Sequence, residues 1–290
     1  MRTLLVLGAL GVGALQAADL ELQQDTLQAW QDYMRQATVT ADQHVHATKP
    51  FLRTAENRDR LARVRKGEIV VWPAADNNPR RVPSGLIHHW LAAAFIPNAH
   101  MDDVIAVLRN YSRYKDIYKP GVLDAKLLKR EGDGDRFSML VRNGTFFTRT
   151  ALDGEYDTTY CQVDDKRWYS VSSTVSLREV ENYGQPGERK LPPDRGHGYI
   201  WRAAGFSRFD ERDGGVYLED EVIILSRDVP SAIRWMAMPV IRRVARETLA
   251  TSLGSTRTAA AAKAAETNVT AKRPAEPEVC AHTAAAGCLR

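Results

Sequence analysis

Phe95-Ile96-Pro97-Asn98, followed by Val104-Ile105-Ala106-Val107-Leu108, is where this chain changes period. Residues 86–95 form a near-continuous apolar run of strand length. Pro97 ends it, because proline has no amide to continue a ladder. Residues 100–110 then place Val104, Ile105, Val107 and Leu108 at helical spacing. A second short helical stretch, 111–118, stops at Pro120-Gly121.

Strand signals dominate from there to residue 226. Residues 122–129 and 136–142 flank Glu131-Gly132-Asp133-Gly134-Asp135, a hairpin turn in which glycine supplies the positive φ. Phe137, Met139 and Val141 alternate with polar neighbours, the pattern of a half-buried strand. Residues 145–163 and 167–181 flank Asp164-Asp165-Lys166. A Gly/Pro-rich loop, 182–198, separates them from 199–211 and 216–226, which meet at Asp213-Gly214-Gly215. The last element is helical. Pro239 predicts a break, with 231–236 a separate turn and the long helix running to Gly254, a natural stop. The expected fold is α+β: a curved antiparallel sheet of about six to seven strands wrapped on a long C-terminal helix. Such an arrangement can leave a hollow that suits apolar small molecules.

The flanks differ in character. Arg2, the apolar run 3–15 and Leu15-Gln16-Ala17 predict a secretory signal over 1–17, hence a secreted or periplasmic protein. Residues 18–84 predict a helical extension and linker: a helix over 18–40, a charged helix over 53–66, a strand over 68–72 and a loop over 74–84. They are not expected to fold alone. The Ala-rich stretch 255–290 predicts a disordered tail. Cys280 and Cys288 could close a small loop in an oxidising compartment, and Cys161 is expected as a buried strand thiol. The net charge of +4 leaves the folded body near neutral once the signal and tail are set aside. That argues against a nucleic-acid partner, which calls for a concentrated basic face.

Residues 86–254 resemble the START-like, or helix-grip, superfamily, which includes the birch-pollen-allergen type, bacterial polyketide cyclases and lipid-transfer START domains. Phe95-Ile96-Pro97 before a helix, Tyr111 and Tyr114 before Pro120-Gly121-Val122, and the closing helix after a long strand carry the resemblance. The runs His88-His89-Trp90, Arg212-Asp213-Gly214-Gly215-Val216 and Leu225-Ser226-Arg227-Asp228-Val229-Pro230 are similar to those of secreted bacterial proteins with this body. The resemblance implies a domain over 85–254 with a cavity between sheet and helix, and lipids, sterols, quinones or polyketides as ligands.

The cavity candidates are His88, Trp90, Phe137, Tyr169, Trp201, Arg202, Leu218, Asp220, Trp235, Ile241, Val244 and Thr248. His88 and His89 are adjacent on a strand, so at most one faces the hollow. Asp220 lies among Val216, Leu218, Val222 and Ile224. A carboxylate there calls for a partner, with Arg202 or Arg208 available. Such a pair either orients a ligand head or is an ordinary cross-strand ion pair. Trp168, Trp201, Trp235, Tyr169, Tyr199 and Phe209 suit a cavity wall or a plain core equally. Arg234, Arg242, Arg243 and Arg246 form either a solvated helix face or a surface for an anionic head group or membrane. No nucleophile elbow, paired catalytic carboxylates, phosphate loop or metal-ligand spacing is present, so no cofactor or metal is expected. A binding protein for an apolar ligand is therefore favoured over a cyclase/aromatase-type enzyme or a structural protein of the envelope.

Overall fold

The computed structural model describes residues 20–46, 49–142, 150–197 and 199–272. The signal over 1–17 and the cysteines Cys280 and Cys288 lie outside the described residues. The chain starts with β1 (Leu20–Glu21) and α1 (Gln24–Val45). Where one charged helix was expected, Asn57 splits the stretch into a 3-10 turn (Arg53–Glu56) and α2 (Arg58–Arg65). Asn57 has extended backbone and its side chain accepts the Arg60 amide at 2.9 Å, so it caps the second piece. β2 (Val70–Pro73), β3 (Arg80–Val82) and the long β4 (Gly85–Pro97) follow, then α3 (Met101–Leu108) and α4 (Tyr114–Ile117).

The rest of the sheet is β5 (Val122–Glu131), β6 (Gly134–Arg142), β7 (Ala151–Gln162), β8 (Arg167–Glu181), β9 (Arg189–Lys190), β11 (Arg202–Arg212) and β12 (Gly215–Arg227). Between them β10 (Arg195–Gly196) pairs only with β1. The ten-stranded open sheet runs β2-β4-β12-β11-β8-β7-β6-β5, with β3 also on β4 and β9 on β8. Its long strands are those expected. β3 and β9 arise in stretches whose composition reads as loop, because edge pairing uses backbone groups and needs no apolar pattern. The β11–β12 turn holds Asp213 at φ 57° and Gly214 at φ 78°, both positive as a tight two-residue hairpin requires.

Alternation gives the sheet two dissimilar faces. On the convex face, Ile87, Ile223 and Leu225 pack against Trp30, Ala37 and Ala41 of α1. Ala93, Phe95 and Tyr217 pack against Phe51, Leu52 and Val64. The N-terminal extension is thus the cover of one face. It is pinned there by buried charge. Glu219 accepts the Arg53 amide at 3.0 Å and both the Thr54 amide and hydroxyl at 2.6 Å. Glu221 accepts from the Arg53 guanidinium at 2.7 Å and from His89 Nε2 at 2.8 Å. Arg208 donates to both carboxylates, at 3.2 and 2.9 Å.

The closing helix α5 spans Ser231–Lys272, with Pro239 inside it. This corrects two expectations. Pro239 does not divide the helix. Proline removes the bond to residue 235, and both residues are exposed, where water can replace it. Gly254 is not a stop either. A side-chain carbon there would meet Ile69 Cδ1 at 3.3 Å, so the glycine admits close approach rather than ending the helix. The tail expected to be disordered is helical to residue 272. Ala260 and Ala264 bury against Val104, Val107 and Ala94, and the Thr267 hydroxyl donates to Asp103 at 2.9 Å. Alanine has the highest helix propensity, and its small side chain lets α5 lie close on α3. Residues 273–290 lie outside the described residues. No helix among the described residues is long and apolar enough to cross a membrane.

This packing makes a direct prediction. Ala260→Leu overfills the α3–α5 contact and is expected to lower stability by about 1–3 kcal/mol. Urea unfolding followed by circular dichroism measures it; an unchanged midpoint would mean that this turn of the helix is not packed as described.

Candidate functional site

The concave face is built from the opposite parity of the same strands. It divides into three zones. Near α5, Ala92, Ala94 and Ile96 of β4 join Leu218 of β12 and Leu253 of α5 in a closed apolar core. At the far end, Phe137 of β6 stacks between Tyr111 and Tyr156, with ring centroids 4.3 and 5.2 Å away. Between these lies a more open and more polar zone.

The contrast along β12 locates it. Glu221, Ile223 and Leu225, on the convex side, are buried. Asp220, Val222 and Ile224, on the concave side, keep partial exposure. The neighbouring strand repeats the pattern: Ala204, Phe206 and Arg208 are buried, while Ala203, Gly205 and Ser207 are not. The reason is the course of α5. It lies along β4, β2 and the two small helices and makes no comparable packing with β11 or β12. Small residues on β11 and hydroxyls on the next strands belong to this zone. Ser170 is buried, and Thr158 and Ser172 share a 2.7 Å hydrogen bond.

Asp220 is the distinctive group of this zone. Ser207 Oγ donates to it at 2.7 Å. No cation pairs with it among the described residues. Burial pushes its carboxyl up to about 6, against the Ser207 bond, which acts to lower it. Nearby, the Tyr118 hydroxyl shares a hydrogen bond with Thr256 of α5 at 2.9 Å. Burial raises Tyr118 to about 12, with the Asp220 charge adding to the effect. Tyr114 is raised well above its ordinary value, chiefly by burial, and its hydroxyl donates to the Leu108 carbonyl at 2.5 Å.

The expected site residues separate into two groups. His88, Trp90, Phe137, Leu218 and Asp220 share the concave face, and Val244 is the buried residue of the first half of α5. His88 is neutral: burial holds it down to about 4, and its Nε2 lies 3.1 Å from Ser226 Oγ. Trp90 Nε1 is buried without an acceptor among the described residues. Ile224 and Ala92 are the cross-strand partners of His88 and Asp220. Four strand residues therefore separate the two groups, roughly 13 Å at 3.3 Å per residue. They cannot act together on one atom.

The others lie elsewhere. Trp201 packs under α1 and Tyr169 beside Tyr217, both on the convex side. Arg202 shares the convex parity and pairs with Asp194 at 2.5 Å. Arg208, the other expected partner of Asp220, belongs to the Glu219–Glu221 network. Trp235 is 77 % exposed; Thr248 is also exposed and Ile241 half-buried. The misplacements on the sheet have one cause. The apolar character of a residue does not say which face of a doubly covered sheet it serves. Ser207, Tyr118 and Thr256 were missed because single hydroxyls carry no pattern. Cys161 is a free, half-buried thiol on β7.

An antiparallel sheet in this order, entered by a strand and two small helices and closed by one long helix, leaves one description. The fold is an α+β helix-grip. No protein-family model and no curated protein matches the chain. Among solved structures, it is similar to a STAR-related lipid transfer protein fragment from Xanthomonas axonopodis. Identity is 20%, the TM-score is 0.47, and the match covers 66% of this chain and 93% of that one. It is similar to human STARD10 at 11% identity and a TM-score of 0.47, covering 70% and 72% of the two chains. The Zhui aromatase/cyclase from Streptomyces matches at 14% identity and a TM-score of 0.40, covering 60% and 93%. The fold assignment rests on the strand order above, with the N-terminal extension and the long α5 added to it.

Proposed function

We propose that this START-like protein is an exported binding protein that holds one apolar small molecule or lipid on the concave face, with a hydroxyl or ammonium donor of the ligand against Asp220. The observation that carries this reading is the carboxylate of the half-buried Asp220, with no cation paired to it among the described residues, set in the middle of an otherwise apolar face. Burial without a counter-charge disfavours the ionised carboxylate, and a donor on a bound ligand relieves that. Val222, Ile224 and Phe137 offer apolar area to the body of the ligand, and the hydroxyls of β7 and β8 leave room for a polar group. The export part rests on the sequence: Arg2, the apolar run 3–15 and the small residue Ala17.

Native mass spectrometry and organic extraction of the purified full chain test the binding reading. One co-purifying small molecule per chain is expected, and Asp220→Ala should retain the fold but weaken that binding roughly tenfold, the value of one charge-assisted hydrogen bond. An empty extract, together with no saturable uptake of a fluorescent fatty alcohol, would sink it. A separate assay, fractionation of cells expressing the full chain, addresses export; retention in the cytoplasm overturns that part alone.

A further inference from the structure

The first half of α5 presents an exposed face that is partly apolar. Trp235 is 77 %, Val240 46 % and Met236 38 % exposed. At 100° per residue, Trp235, Arg242 and Arg246 fall in one row, and Met236, Val240 and Arg243 in the next. The apolar residues occupy the first turns and the arginines the following ones, and all six are exposed. The charge is one-sided. Arg242, Arg243 and Arg246 are exposed, and the only acidic residue on residues 231–250 is Glu247, which accepts from Arg243 at 2.7 Å. Arg234 is turned aside to Asp228 at 2.9 Å.

We infer that this helix face docks on an anionic lipid surface, with Trp235, Met236 and Val240 entering the interface and Arg242, Arg243 and Arg246 meeting the head groups. Tryptophan favours that boundary because its ring is apolar and its N–H is polar. Arginines beside exposed apolar residues match a surface that is negative outside and apolar within. A second copy of the chain is a poorer occupant, since face-to-face contact would bring three arginines against three arginines. The inference does not depend on cargo in the hollow, so the two can fail separately.

Flotation of the full chain with vesicles tests it, comparing phosphatidylcholine alone with phosphatidylcholine containing about one-third phosphatidylglycerol. Binding is expected only to the anionic vesicles, and should be lost when salt shortens the Debye length from about 10 to about 3 Å. Arg242→Gln/Arg243→Gln/Arg246→Gln should weaken binding roughly a hundredfold, at about fivefold per charge. Trp235→Ser should weaken it roughly tenfold or more by removing one large apolar group from the interface. Its thermal midpoint should not change, because Trp235 is not part of the core. Equal binding to neutral vesicles, indifference to the arginine changes, or a Trp235-dependent dimer by sedimentation would each overturn the inference.

Discussion

Arg208→Met is expected to lower the unfolding free energy by about 3–5 kcal/mol, the cost of removing one partner from a buried ion pair. Arg208 is among the largest fully buried side chains of the protein. It lies between Glu219 and Glu221, which point to the same face of β12, and both carboxylates are almost wholly buried. Without it, Glu221 keeps the Arg53 guanidinium and His89, while Glu219 keeps only the Arg53 amide and the amide and hydroxyl of Thr54. Burial pushes the Glu221 carboxyl up, yet His89, Arg208 and Arg53 outweigh burial and hold it at about 2. The arginine is therefore what permits two negative charges to sit under the extension. A second substitution distinguishes this from loss of packing. Glu221→Gln should destabilise the native protein but should recover at least about 1 kcal/mol in the Arg208→Met background, because it removes the excess charge. Urea unfolding of the four proteins closes the cycle; simple additivity would show that charge balance is not what Arg208 supplies. Residues 20–84 should also become easier to proteolyse, since Glu219 and Glu221 hold Arg53 and Thr54.

The long strands and their order were legible because they rest on local signals: alternation in 136–142, the Asp213-Gly214-Gly215 turn, and the switch of period after Pro97. The extent of α5 was not. Pro239 and Gly254 are breakers by residue type, and their tolerance here comes from solvent at one and from the approach of Ile69 at the other. The Ala-rich segment after residue 254 lacks large apolar residues. It is held instead by small ones fitting against α3, a contact that composition cannot reveal. Of the candidate residues, only the strand faces were legible. Parity placed His88 apart from His89, and Asp220 among aliphatics, correctly. Parity could not say that both faces of the sheet are covered by different things, so Arg202, Tyr169 and Trp201 were assigned to the wrong side. The ionic network beneath the extension draws on four separated segments, and no spacing rule joins Arg53 to Glu221.

Asp220→Asn is expected to stabilise the ligand-free protein at neutral and alkaline pH, by up to about 2–3 kcal/mol at 1.36 kcal/mol per pKa unit. The sign follows from proton counting. The Asp220 carboxyl titrates at about 6 in the folded chain, against an ordinary value of 3.8. Between those values the folded state binds the proton that the unfolded state releases, so stability falls as pH rises from about 4 through about 6 and stays lower above. Asparagine does not ionise, and it can still accept from Ser207. The two proteins should therefore be nearly equal below pH 4 and diverge across pH 4–6, with the variant ahead. Asp135, held at about 2 against burial by Arg130, Arg109 and Tyr111, and Glu221 shift in the opposite sense. Their loss at low pH is common to both proteins and cancels in the difference. Paired urea titrations at closely spaced pH values measure that difference directly. A flat difference from pH 4 to 8 would mean that Asp220 is solvated like an ordinary surface carboxylate, and the concave face would then lack the dry, polar spot on which the binding reading rests. The expected divergence, joined to weaker ligand uptake by the same variant, would identify Asp220 as a group kept at the expense of stability because the ligand uses it.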